Sequence, residues 1–233
     1  MRTEIFQGFP SFRRGIVVAR ELKNHAHSER LDAMLGRVVE ERSSHPLDLK
    51  TDPRILAWNE AHRHFGSNPN KFPPAHTALL KRIQRPGARI PFISCVVAIM
   101  NYHSIASAMP VGGDDLERAG RCLELRHATG AEVFAPLGTP EALEHPVPGE
   151  VIYVVAESGE VMCRRWNWRN GHTTRITEET RQMVMNIDGL GDGCEASTLA
   201  TRDGVASMLE EFCGANVTTA LLSPSTPAFQ FEA

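Results

Sequence analysis

Between Ser28 and Glu41 the apolar residues Leu31, Met34, Leu35, Val38 and Val39 recur at the spacing of one helix face, and Ser28 stands where an N-cap belongs. This pattern predicts a helix. A second start signal, Asp52 followed by Pro53, predicts a helix through His64 with Gly66 as its stop. The polar, proline-bearing run 67–74 predicts a loop, followed by a third helix from Ala75 to Arg85 that ends at Pro86-Gly87. From Ile93 to Ala108 the chain is apolar and small apart from Asn101, Tyr102, His103 and the serines, which predicts a mostly buried helix. Asp203 to Cys213 predicts another.

Strand signals are shorter. Gly15 to Ala19 is a β-branched run, and further strands are expected around Cys122–His127, Glu150–Ala156, Val161–Arg169 and Met183–Ile187. Pro110 to Asp115 is expected to be a glycine turn, and Gly189 to Gly193 a flexible loop. The tail from Ala215 to Ala233 has the composition of a last strand. With no internal repeat and no linker, the expected organisation is one α+β domain over residues 1–233.

The segment Cys163-Arg164-Arg165-Trp166-Asn167-Trp168-Arg169 sets two tryptophans among arginines, and residues 161–177 contain no acidic side chain. Read as a strand, alternation puts Arg165, Asn167 and Arg169 on one face and Trp166 and Trp168 on the other. An arginine is costly to bury unpaired, so the polar face borders either water or an anionic ligand.

Composition narrows the function classes. The 233 residues carry a formal net charge of -3, with 42% hydrophobic and 23% charged residues. That balance argues against a general nucleic-acid coat, although a local basic patch fits. No apolar run approaches the roughly 20 residues that span a bilayer, and the first residues lack the apolar stretch of a signal peptide. The five cysteines (95, 122, 163, 194 and 213) are scattered without a CxxC pair. Free thiols and a cytoplasmic location are therefore expected.

Other constellations suggest little chemistry. His25 and His27, and His62 and His64, resemble metal pairs, but residues two apart on a helix point about 200° apart. Without a third ligand no metal site is expected. Asn101 and Ser104 share a helix face and could look into a small cavity. Gly112 and Gly113 would let backbone N–H groups approach a carbonyl or developing oxyanion there. Asp114 and Asp115 read as turn or cap residues, and His103 and His172 as structural.

Several pieces in order carry a resemblance: Lys71-Phe72-Pro73-Pro74 with Ala78-Leu79-Leu80; Ile90-Pro91 to Asn101-Tyr102; Pro110 to Leu116; Leu125-Arg126-His127-Ala128; Pro148-Gly149-Glu150-Val151; Cys163 to Arg169; and Thr177 to Thr180. Over about residues 68–190 the chain resembles the B3/B4 domain of the phenylalanyl-tRNA synthetase β subunit, in stand-alone form. The resemblance implies a three-layered α+β fold with a β-sandwich of unusual topology and flanking helices. It also implies a trans-acting deacylase that clears mischarged tRNA, with the acceptor end and its attached amino acid as partner and with no cofactor, metal or membrane.

The chain departs from the synthetase pattern where the editing chemistry sits. The synthetase histidine falls on Gly112, and its glutamate near Thr173 or Thr174, so the catalytic residues are unknown. The expected substrate-binding set is Asn101, Ser104, Gly112, Gly113, Asp115, Arg165, Asn167 and Arg169, with Arg165 and Arg169 on terminal phosphates. The other reading is a non-catalytic module that binds aminoacyl-tRNA, a free amino acid or a protein. The amino acid, the tRNA and the oligomeric state are not set by the sequence.

Overall fold

A computed structural model describes residues 3–231. Strand β1 (Arg13–Arg20) lies inside a four-stranded antiparallel sheet, between β7 (Met183–Gly189) and β8 (Asn216–Leu222). Strand β2 (Val111–Asp115) forms the edge beyond β7. A second antiparallel sheet holds β3 (Leu123–His127), β4 (Val151–Val155), β5 (Val161–Arg164) and β6 (Arg169–Asn170) in chain order.

Alternation along the strands decides what each face meets. Val17, Ala19, Met183, Met185 and Ile187 enter a core shared with α2 (Glu29–Ser44), α4 (Ala75–Ile83), α5 (Cys95–Ser107) and α7 (Cys194–Cys213). Ile16, Val18 and Val184 point the other way and pack with Leu125, Val151, Tyr153 and Val155 of the second sheet. The outer side of that second sheet is closed by Ala128 and Phe134 against Ile152, Val154 and Val161. The layers are therefore helices, sheet and sheet, an α+β sandwich with flanking helices.

The caps act where the sequence places them. Ser28 accepts from the Leu31 N–H, and Asp52 accepts from the Arg54 N–H at the start of α3 (Pro53–His64). Gly66 follows α3 with φ +81°, a conformation that suits glycine. The tail contributes β8, and the last two residues of the segment expected to hold it lie outside the described residues.

Three expectations need correction. Cys163 to Arg169 is not one strand: β5 ends at Arg164, a turn occupies 165–168, and β6 begins at Arg169. Arg165 and Trp166 both take left-handed φ values, 48° and 65°. The Arg165 N–H donates to Glu150 Oε1 at 2.9 Å, and the Trp166 N–H donates to the Val151 carbonyl. These bonds reverse the chain where alternation alone predicts extension, so Arg165, Asn167 and Arg169 share no strand face. Pro110 to Asp115 is an edge strand rather than a turn, because Gly112 and Gly113 pair with Asn186 and Met185. Helix α7 starts at Cys194, well before Asp203, since buried Thr198 and Thr201 interrupt the apolar stripe that reveals a helix in sequence. Helices α1 (Thr3–Gly8) and α6 (Leu116–Ala119) were not anticipated.

Candidate functional site

A cavity of about 360 Å³ opens between the two sheets. On the first sheet the register places Gly112 beside Asn186, and Asp188 beside Arg14. Directly paired residues point to the same side, so Gly112, Asp114, Asn186, Asp188 and Arg14 all face the gap. Tyr153 and Cys163, paired with each other on the second sheet, face them. A Cβ built on Gly112 would meet nothing within 4 Å, so the space in front of this residue is open.

Several buried polar side chains are set into an otherwise largely apolar wall. The Tyr153 hydroxyl donates to both Asp188 carboxylate oxygens at 2.8 Å. Arg14 donates through Nε to Asn186 Oδ1 at 2.9 Å and through Nη2 to the same oxygen, and its guanidinium lies 4.6 Å from the centre of the Tyr153 ring. The Thr174 hydroxyl donates to Asp114 Oδ1 at 2.6 Å. Burial pushes the Asp188 carboxyl up to about 6, against the opposing pull of Arg14 and the Tyr153 hydroxyl. Burial likewise raises Asp114 to about 6, opposed by the Thr174 hydrogen bond and Arg14. The Cys163 thiol is pushed well above its ordinary value by burial and by the neighbouring carboxylates, so it stays protonated and is a poor nucleophile.

The turn 165–168 forms the facing wall. Trp166 is fully buried, with its ring 4.8–5.0 Å from those of Phe9, Phe12 and Trp58. Its indole N–H lies close enough to Asp188 to favour the carboxylate, yet it makes no hydrogen bond of regular geometry. Asn167 Oδ1 lies 3.1 Å from His62 Nε2, and the Asn167 carbonyl accepts from the Ala75 N–H that opens α4. The Asn167 Nδ2 donor is buried and unpartnered. Burial holds His62 neutral, its ring pulled down to about 4. Behind the turn, Glu150 grips Arg164 in a two-pronged pair at 3.0 and 2.7 Å, and Arg164 also reaches Glu144 at 2.6 Å. Arg169, about one-third exposed, reaches Glu144 at 3.4 Å and stands at the mouth with the exposed Leu137.

The expected binding residues divide. Gly112, Gly113, Asn167 and Arg169 line the cavity. Asn101 and Ser104 do not: α5 packs on the opposite face of the first sheet, and the Ser104 hydroxyl donates to the Met109 carbonyl. Asp115 caps α6 through the Glu117 N–H and accepts from the Thr180 hydroxyl, so it is committed to local structure. Arg165 turns away, stacking 3.8 Å from the Phe72 ring centre and reaching Ser67. Gly112 and Gly113 also differ in their backbone roles. The bonds Asp188 N–H to Pro110 O and Leu116 N–H to Gln182 O set the ladder alternation. It sends the Gly112 N–H to β7 and the Gly113 N–H to the free edge, where Asp115 N–H meets Thr174 O.

Asp114, Tyr153, Asn186 and Asp188 are cavity residues that the sequence reading missed. Polar residues alternating with Met185 and Ile187 were the available signal. Among the described residues, no three His, Cys, Asp or Glu side chains are grouped to hold a metal ion, and no helix is long and apolar enough to cross a membrane.

A family profile described as the B3/4 domain matches residues 57–213. No curated protein sequence matches the chain. Among solved structures, an N-terminal fragment of the phenylalanyl-tRNA synthetase β-subunit from Pyrococcus horikoshii is similar, with a TM-score of 0.44 and 11% identity. The match covers 88% of this chain and 46% of that one, so this chain spans less than half of that fragment's length.

Proposed function

This chain belongs to the B3/4 domain family, and from that premise we propose that it acts on tRNA, as a trans-acting deacylase that hydrolyses the ester of mischarged aminoacyl-tRNA. The substrate class rests on the ordered motifs shared with the synthetase editing module. The observation that carries the reading is the cavity between the sheets. It is small and mostly apolar on its accessible surface, with a few buried polar groups set into it, and Arg169 and the edge of β2 stand at its wall.

A cavity of this volume suits an aminoacyl group, with the acceptor end left at the mouth. Arg169 supplies a cation for a terminal phosphate. The Gly113 N–H at the strand edge and the Asn167 amide would donate to the ester carbonyl oxygen as charge builds on it. Water attacks the carbonyl carbon, the bond to the terminal ribose oxygen breaks, and that oxygen leaves with a proton from the water. The ester is already activated, so positioning and charge stabilisation provide the main acceleration, and the step requires neither metal nor cofactor.

One observation favours a second reading. The cavity lining includes no histidine, serine or lysine, and its cysteine is a buried protonated thiol. A module that holds an aminoacyl group without cleaving it would have this wall. Single-turnover deacylation against a panel of correctly and wrongly charged tRNAs tests the two. Hydrolysis above the uncatalysed rate on one mischarged species supports the enzyme. Retained binding of charged tRNA with no hydrolysis on any species supports the binder.

A further inference from the structure

The acidic groups at and around the cavity differ in what already holds their oxygens. Asp188 receives the Tyr153 hydroxyl on both carboxylate oxygens, and the Trp166 indole N–H lies beside them. Glu150 is held by Arg164 and by the Arg165 N–H, and Glu144 by Arg164 and Arg169. Asp115 caps α6 and accepts from the Thr180 hydroxyl. Asp114 is engaged on one side only. Its Oδ1 accepts from the Thr174 hydroxyl at 2.6 Å, and its Oδ2 takes no hydrogen bond or ion pair among the described residues. Nor is that oxygen sealed off, unlike the buried Asn167 Nδ2.

The place of Asp114 in the edge strand suits chemistry. Alternation sets it on the same side as Gly112, whose front is open, and next to Gly113, whose N–H points to the free edge. Tyr153 and Cys163 face it from the second sheet, Arg14 and Asp188 from β1 and β7, and Asp115 follows it in the chain. None of these neighbours is a free base. The phenol and the thiol stay protonated at pH 7, and Arg14 is spent on Asn186. A carboxylate fixed at one oxygen and open at the other has its lone pairs aimed, as a group that holds a water and takes its proton must. Burial raises Asp114 to about 6, against the Thr174 hydrogen bond and Arg14. It is thus ionised at pH 7 and more basic than an ordinary carboxylate.

We propose that Asp114 is the general base of the site: its Oδ2 orients the attacking water and takes its proton, while Thr174 holds the carboxylate in place. This rests on the aminoacyl-ester reading above and supplies the catalytic residue which that reading leaves unnamed. As the water oxygen bonds to the carbonyl carbon, one water proton passes to Oδ2 and the carbonyl electron pair moves onto its oxygen. When that pair returns, the bond to the ribose oxygen breaks, and the proton on Asp114 passes to the departing oxygen. A free amino acid and a free ribose hydroxyl account for the water consumed, and Asp114 ends ionised as it began.

The test is the pH profile of single-turnover deacylation by the intact chain at subsaturating protein, with the uncatalysed rate subtracted. The probe is the charged tRNA that the wild type hydrolyses fastest. The wild-type rate is expected to rise with pH up to about 6 and then level. Asp114→Asn keeps an acceptor for the Thr174 hydroxyl but cannot take the proton. It should keep its near-UV circular dichroism and its affinity for charged tRNA, yet lose about 100-fold or more of the rate together with the inflection. Thr174→Val removes the hydrogen bond that pulls Asp114 down, so its inflection should move to higher pH. The proposal is overturned if folded Asp114→Asn keeps the wild-type rate or the inflection, or if the Thr174→Val inflection stays in place. Should Asp114→Asn fail to fold, the Thr174→Val profile decides. The reading beneath fails separately. A wild type that hydrolyses no charged tRNA removes the enzyme and its base together, whereas an active, unimpaired Asp114→Asn keeps the enzyme and removes the base.

Discussion

Tyr153 bridges the two sheets by donating one hydroxyl to both oxygens of Asp188, each at 2.8 Å. Tyr153→Phe removes this donor and leaves a buried carboxylate with less support. A loss of about 1.5–3 kcal/mol is expected. Urea denaturation at pH 7.5 measures it. The loss should shrink below pH 5, where the carboxyl takes a proton and no longer needs the donor.

Asp188→Asn should show the opposite pH behaviour. The folded carboxyl lies near 6, above the unfolded value of 3.8. Its favourable contribution is therefore complete below about pH 4 and is lost as pH rises through 6. The variant, which cannot titrate there, gains on the wild type between pH 4 and 7 by roughly 1–3 kcal/mol. Stability curves for both proteins at four pH values check this. A constant difference would place the Asp188 carboxyl at its ordinary value.

The adjacent glycines should respond differently. Gly112→Val projects into open cavity space, where a Cβ has no neighbour within 4 Å, so stability should change by less than about 0.5 kcal/mol while deacylation falls. Gly113→Ala places its Cβ 3.0 Å from Met183 Cε and 3.1 Å from the Val184 carbonyl. It should cost about 1–3 kcal/mol by overpacking. Melting curves and single-turnover deacylation on the same samples separate the two effects.

The two arginines of the turn should part in the same way. Arg165 is stacked on Phe72, with its side chain only 14% exposed, so Arg165→Ala should lower stability by about 1–2 kcal/mol. Arg169→Ala should leave the fold intact, weaken tRNA binding and shallow its log–log salt slope by about 0.7–0.9, the share of one phosphate contact. Filter binding at four salt concentrations reads the slope.

The capped helices were legible because their signals are local. Ser28 with its apolar stripe, and Asp52 with Pro53, give the starts of α2 and α3 without any knowledge of the rest of the chain. The cavity was not legible. Asn186 and Asp188 alternate with Met185 and Ile187, which in one sequence describes a strand with a wet face. Only Tyr153 and Cys163, carried in by the second sheet, turn that face into an enclosed gap. The turn at Arg165 was hidden for a related reason. Its left-handed residues are neither glycine nor asparagine, and what holds them is a carboxylate at Glu150, fifteen positions upstream.

The position of β1 has a consequence for how the molecule comes into being. Residues 13–20 are made early, yet their partners are 183–189 and 216–222. The second sheet, from Leu123 to Asn170, needs only nearby chain and can assemble while synthesis continues. The first sheet cannot begin to form on β1 until β7 has been made through Gly189, and β8 completes its other edge later. Arg14 lies on that waiting strand and Asp188 on its late partner. Arg14 and Asp188 therefore meet only when β1 pairs with β7, and a nascent or truncated chain that stops short of Gly189 presents the cavity incomplete.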